Sequence, residues 1–245
     1  MSIKKLLLVG DSHMSGAGSE WPKLFSHLGP VSKDYRPHLW SRKIKEAYPN
    51  LGELYIKFYK DLGPKITPQQ EQRKKLMFDN SFGKYIASHL NVEYELLGSN
   101  VKYVTDILPY IINNLHDEDL KGALILCGVP KVTETLTFFQ THPDTTLVNK
   151  TVLNFAAHIM LIKEFVENRG GKFIYFHTED FPEELYNPKL NPYLTDLLPL
   201  LIFQGDIASI LGNDSYWRKF DGKHYDAGTQ KVIGQKLGKI VASLL

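Results

Sequence analysis

One cysteine, Cys127, occurs in the 245 residues. A lone thiol closes no internal disulfide, so the fold must rest on its core, and the chain is compatible with a reducing compartment. Cys127 ends the apolar run Ala123-Leu124-Ile125-Leu126-Cys127, where it reads as a buried, inert side chain. Long apolar runs are missing too, and none approaches the roughly 20 residues needed to cross a bilayer. Lys4-Lys5 before Leu6-Leu7-Leu8-Val9 has the order of a secretory signal, but Asp11 interrupts it after too few apolar residues. The run reads as a strand, and cytoplasmic residence is the expectation. A net charge of +2 with 23% charged residues gives no global excess for wrapping nucleic acid or adhering to an anionic membrane. The histidines lack metal-ligand spacing, so no metal is expected.

An apolar content of 43% is enough for a substantial core. A single domain over residues 1–245 is expected. Strand-like runs at residues 3–9, 92–97, 123–127 and 173–176 alternate with helical stripes. One stripe surrounds Trp21, Leu24, Phe25 and Leu28; another holds Val101, Val104, Ile107, Leu108, Ile111 and Ile112. A third contains Val152, Phe155, Ile159, Ile162 and Val166, and the last begins near Ala227 with Val232, Ile233, Leu237, Ile240, Val241 and Leu244. Such alternation predicts an α/β protein with a parallel sheet covered on both faces, whose functional groups gather at the carboxyl ends of the strands. Residues 30 to about 80 break the pattern with aromatic and basic side chains, Tyr35, Arg36, Trp40, Arg42 and Tyr48 among them. They read as an insertion, partly irregular around residues 64–75. It forms a lid with a basic rim, or else a surface for sugars, an anionic substrate or single-stranded nucleic acid.

Gly10-Asp11-Ser12-His13 follows directly on the first strand, which presents the Ser12 hydroxyl at a strand end. A serine hydroxyl is unreactive at neutral pH without a base, and the base needs a carboxylate to orient it. Asp221-Gly222-Lys223-His224, in the loop before the last helix, offers both. The spacing lets the Asp221 carboxylate fold back on one imidazole nitrogen while the other faces the serine. Taken alone, Gly-Asp-Ser is an ordinary turn in which Asp11 or Ser12 caps a helix, and Asp221 and His224 are a surface loop. Asp226 reads as the N-cap of the last helix. His13 is a neighbour rather than the base, and His177, after the fourth strand, either lines the site or is structural.

Together, Leu7-Leu8-Val9-Gly10-Asp11-Ser12 and Asp221-Gly222-Lys223-His224 resemble, in type and in order, the first and last blocks of the SGNH hydrolases, also called GDSL esterases and lipases. The resemblance implies a three-layer α/β/α, flavodoxin-like fold with a central parallel sheet and hydrolysis of an ester or acyl group through an acyl-enzyme. Ser12, Asp221 and His224 would be the triad, with no cofactor. Met14 stands where the α/β-hydrolase pentapeptide G-x-S-x-G needs its last glycine, so that nucleophile elbow is a poor fit. In the family the oxyanion hole takes the serine N–H, a second-block glycine N–H and a third-block asparagine. Ser12 and Gly98 stand in the first two places. The third block departs, because Gly128-Val129-Pro130-Lys131 has proline at the asparagine position, and proline has no donor. Gly98-Ser99-Asn100 offers a substitute in the Asn100 amide.

The function expected from this resemblance is hydrolysis of a carboxylic ester, with an O-acetyl or other short acyl group on a carbohydrate as one candidate. The partner would be a small-molecule or carbohydrate ester, with no nucleic acid and no membrane span. The missing asparagine favours a rival reading, a binding or structural protein on the same fold. A further rival, a nucleotide or anion binder wrapping a phosphate with residues 10–18, lacks both the P-loop and the dinucleotide glycine spacing.

Overall fold

The computed structural model describes residues 3–11, 14–15, 68–98, 101, 103–129, 145–178, 186, 197–212 and 225–245. Their elements, in chain order, are β1 (Lys5–Val9), α1 (Pro68–Asn80), α2 (Phe82–Leu90), β2 (Glu93–Gly98), α3 (Val104–Asn114), α4 (Asp117–Leu120), β3 (Ala123–Val129), α5 (Thr145–Glu167), β4 (Lys172–His177), β5 (Leu201–Asp206), α6 (Ile207–Leu211) and α7 (Ala227–Leu244). The strands form one five-stranded sheet in the order β2-β1-β3-β4-β5, and every pairing is parallel. This is the flavodoxin-like order, whose strand sequence reverses direction between β1 and β3.

Strand side chains alternate between faces with a period of two, and the core divides accordingly. Leu7, Val9, Ile125, Cys127, Phe173 and Tyr175 join Ile107 and Ile111 of α3 and Phe155, Ile159 and Ile162 of α5 in one buried cluster. Leu6, Leu8, Leu124, Leu126, Ile174 and Phe176 join Phe82 and Ile86 of α2, Ile207 of α6, and Ile233, Leu237 and Val241 of α7 in the other. A sheet buried on both sides between helices is the three-layer α/β/α arrangement expected from the sequence. It also explains why the central strands are nearly continuous apolar runs.

Residues 69–75, expected within an irregular excursion, are instead helical in α1. Pro68 suits a first helical turn, and the Gln, Glu, Arg, Lys, Leu and Met that follow are good helix formers. Leu76 and Met77 anchor α1 by their burial. Residues 30–67 of the proposed insertion, and the stripe around Trp21, lie outside the described residues.

Close packing of α2 on α7 fixes where the last loop ends. A side chain on Gly234 would meet the Phe82 carbonyl oxygen at 2.5 Å, and one on Gly238 would meet His89 Cβ at 2.9 Å. These two glycines, one helical turn apart, let the helix backbones approach. The Gln230 side-chain oxygen accepts from the Phe82 N–H at 3.0 Å across the same contact.

Candidate active site

Because the sheet is parallel, the carboxyl ends of its strands share one edge. Register places Val9 opposite both Gly98 and Cys127, and Val129 opposite His177. The four segments singled out from sequence as strand ends, at Gly10, Gly98, Gly128 and His177, therefore stand side by side.

At the end of β1 the chain turns tightly. Gly10 has φ 156°, a conformation that side-chain-bearing residues rarely adopt. A Cβ there would lie 2.5 Å from Met14 Cγ and 2.6 Å from the Gly128 carbonyl oxygen. The Gly10 carbonyl accepts from the Val101 N–H at 3.2 Å, and the Asp11 carbonyl accepts from the Met14 N–H at 3.1 Å. Met14, fully buried, lies over Gly128, where an added Cβ would come within 2.3 Å of its sulfur. Two glycines on adjacent strands thus make room for one methionine under the turn.

Thr178, the residue after β4, reaches across this edge. Its hydroxyl donates to Asp11 Oδ2 at 2.7 Å and is also 3.1 Å from the Val129 carbonyl. Its amide donates to the same Val129 oxygen at 3.2 Å.

Gly98 ends β2 beside an irregularity. Leu8 pairs with Leu96 and Val9 with Gly98, so Leu97 is an extra residue in the ladder. Bulges of this kind recur next to active sites, where they redirect the chain. The Tyr110 hydroxyl, from α3, donates to the Leu97 carbonyl and ties the irregular peptide to the helix.

Asp226 is the N-cap of α7, as its position in the sequence suggested, and its carboxylate accepts from the Thr229 N–H at 2.8 Å. Before it, Tyr225 is 3% exposed and belongs to the same core cluster as Met14. The residues that flank the two sequence motifs are therefore anchored in one body of packed side chains.

Gly98 is described as a strand residue, while Ser12, Asn100, Asp221 and His224 lie outside the described residues, as do His13 and Pro130. Sequence reasoning missed Thr178 and Met14. The signal for the first was its place directly after a strand; Met14 had none, since its role depends on two glycines distant in sequence.

His177 is structural. It is fully buried, Phe155 stacks on its ring, and its Nε2 is 2.7 Å from the Tyr186 hydroxyl, which lies 2.9 Å from that of Tyr175. Burial pushes the His177 pKa from 6.5 down to about 3. Between those values the unfolded chain takes up a proton that the folded one refuses, so stability falls as pH drops below 6.5. From about pH 7 to about pH 5 this costs on the order of 2 kcal/mol. His177→Gln is expected to remove that part of the acid limb in urea titrations at the two pH values, and an unchanged pH dependence would contradict the assignment. Cys127 is also fully buried, and burial, with the Asp11 charge adding to it, pushes its thiol well above the ordinary range. A thiol so protonated is no nucleophile at neutral pH. Among the described residues no cluster of His, Cys, Asp or Glu is placed to hold a metal ion, and no helix is long and apolar enough to cross a membrane.

No protein-family model and no curated protein sequence matches this chain. Among solved structures it is similar to the lipase Lip_vut3 from a goat rumen metagenome, with 15% identity and a TM-score of 0.50 over 98% of this chain and 97% of the other. It also matches a carbohydrate esterase, described as displaying divergent catalytic and non-catalytic binding functions, at 11% identity and a TM-score of 0.49, covering 99% of this chain and 69% of that one. The chain shares its α/β fold with the lipase.

Proposed function

We propose that the protein is a serine hydrolase of the SGNH type that cleaves a carboxylic ester, with Ser12 as nucleophile, His224 as general base and Asp221 as its orienting carboxylate. The observation that carries this reading is the common anchoring of the two motifs. Met14, two residues after Ser12, and Tyr225, the residue after His224, are packed in one core cluster. Support also comes from the fold shared with a lipase and from the alignment of Gly10, Gly98 and Gly128 along one sheet edge.

In the proposed reaction the Ser12 oxygen attacks the ester carbonyl as His224 takes its proton. The tetrahedral oxyanion collapses, and the alcohol leaves with that proton. Water, deprotonated by His224, then attacks the acyl-serine; the acyl–oxygen bond breaks, the acid leaves, and His224 returns the proton to Ser12. The oxyanion is held by the N–H groups of Ser12 and Gly98 and by the Asn100 amide, which takes the place of the donor that Pro130 lacks. A short acyl group on a small molecule or carbohydrate is the proposed substrate.

The test is turnover of short-chain aryl esters by the purified protein and by Asn100→Ala. Wild-type turnover supports the reading. The variant is expected to lose about 100-fold to 1,000-fold in kcat with little change in KM, because the bond forms mainly in the transition state. The next helix takes its N-cap at Tyr103 and not at Asn100, so an Asn100 outside the oxyanion hole would leave kcat unchanged. A binding or structural protein on this fold is the second reading, favoured by Pro130, and it predicts no turnover by the wild type.

A further inference from the structure

Thr178, directly after β4, touches the ends of both β1 and β3. Its amide donates to the Val129 carbonyl at 3.2 Å, and its γ-methyl lies 2.7 Å from where a Gly128 Cβ would stand. Its hydroxyl, buried in a residue 3% exposed, has two acceptors in reach, Asp11 Oδ2 at 2.7 Å and the Val129 oxygen at 3.1 Å. A hydroxyl carries one hydrogen, and a carboxylate at the shorter distance is the stronger claimant. Valine would fill the same volume and keep the γ-methyl, so packing does not account for the hydroxyl.

Asp11 is held at its other end as well, since its carbonyl accepts from the Met14 N–H at 3.1 Å. Ser12 is the next residue in the chain. Whatever fixes Asp11 sets how the chain enters the nucleophile position.

The geometry points to Thr178 as a positioning residue: through its hydrogen bond it holds Asp11, the residue before Ser12, against the end of β4. Its catalytic consequence rests on the serine-hydrolase reading above. A reacting group displaced by about 1 Å can cost on the order of 100-fold in rate, so a tether on the neighbouring residue is felt in kcat. Because the tether acts on the nucleophile's position, the effect is expected in kcat rather than in KM.

The test compares Thr178→Val, Thr178→Ser and Asp11→Ala by aryl-ester kinetics and by hydrogen exchange of the peptide covering residues 8–15. Thr178→Val is expected to lower kcat by about 10-fold to 100-fold with KM within about twofold, and to speed exchange in that peptide. Thr178→Ser, which keeps the hydroxyl, restores both. Asp11→Ala lowers kcat and speeds exchange at least as much, and the double variant is no worse than Asp11→Ala alone, because the bond that Thr178→Val removes is already gone. A valine variant with wild-type kcat and unchanged exchange overturns the proposal. So does a serine variant as impaired as the valine, since the methyl would then be the working part. If the wild type hydrolyses no ester and a fluorophosphonate leaves Ser12 unlabelled, the hydrolase reading fails, yet exchange still decides the tether. Faster exchange in Thr178→Val and Asp11→Ala but not in Thr178→Ser supports it, and unchanged exchange overturns it.

Discussion

Ser12→Ala is expected to lower kcat for a short-chain aryl ester by about 10⁴-fold to 10⁶-fold. The hydroxyl is the acyl acceptor in the proposed reaction, so without it no acyl-enzyme forms. What remains is transition-state stabilisation by the oxyanion donors and by binding. The fold should be indifferent to the change. Among the described residues the bonds that hold the turn belong to Gly10, Asp11, Met14, Val101 and Thr178. Loss of one turn hydroxyl at a strand end is expected to shift stability by about 0.5 kcal/mol or less, or about 2 °C in Tm for a chain of this size. Undiminished turnover in a variant of wild-type Tm would remove Ser12 from the mechanism.

Gly10→Ala should have the largest effect on stability. Two costs add at this position. A Cβ would lie 2.6 Å from the Gly128 backbone oxygen and 2.5 Å from Met14 Cγ, and overpacking of this kind costs about 1–3 kcal/mol. A φ of 156° is poorly populated by alanine, and holding it costs about 1–3 kcal/mol more. Met14 could rotate away only into neighbours that already enclose it, and the Gly128 oxygen belongs to a central strand paired on both sides. The expected loss is about 2–6 kcal/mol against a typical total of about 5–15 kcal/mol, read as a fall in the urea midpoint. A change under about 0.5 kcal/mol would show that this turn can relax.

The alternation of strands and helices was legible because β1, β3 and β4 are short apolar runs closed by glycine or a polar residue, and because α3, α5 and α7 carry one-sided stripes. Asp226 was legible as a cap, since an acidic residue directly before an apolar-periodic segment has one common use. Among the described elements, α1, α2, α4, α6 and β5 went unread. Leu201–Asp206 forms β5, but it emerges from the run Leu197-Leu198-Pro199-Leu200-Leu201-Ile202-Phe203, in which nearly every residue is apolar and no period separates strand from helix. α2 has a clear start at Ser81, whose hydroxyl accepts from the Lys84 N–H. Its apolar positions 82, 86, 87 and 90 follow so closely on the polar segment before it that they did not stand out.

At the site, sequence supplied the chemistry-bearing residues and the strand ends they follow. It did not supply what holds them. The Thr178–Asp11 bond joins positions 167 residues apart, and the Met14 seat needs Gly10 and Gly128 together. Such contacts are set by strand order, and strand order appears only once the sheet is assembled.

The central claim is that Ser12 is an activated nucleophile. It is tested most directly by treating the purified, folded protein with a fluorophosphonate and mapping the adduct by peptide mass spectrometry. The account predicts one adduct, on Ser12, formed in the native protein and lost when the protein is unfolded first. No adduct in the native protein at excess probe, or an adduct on a different residue, would contradict it.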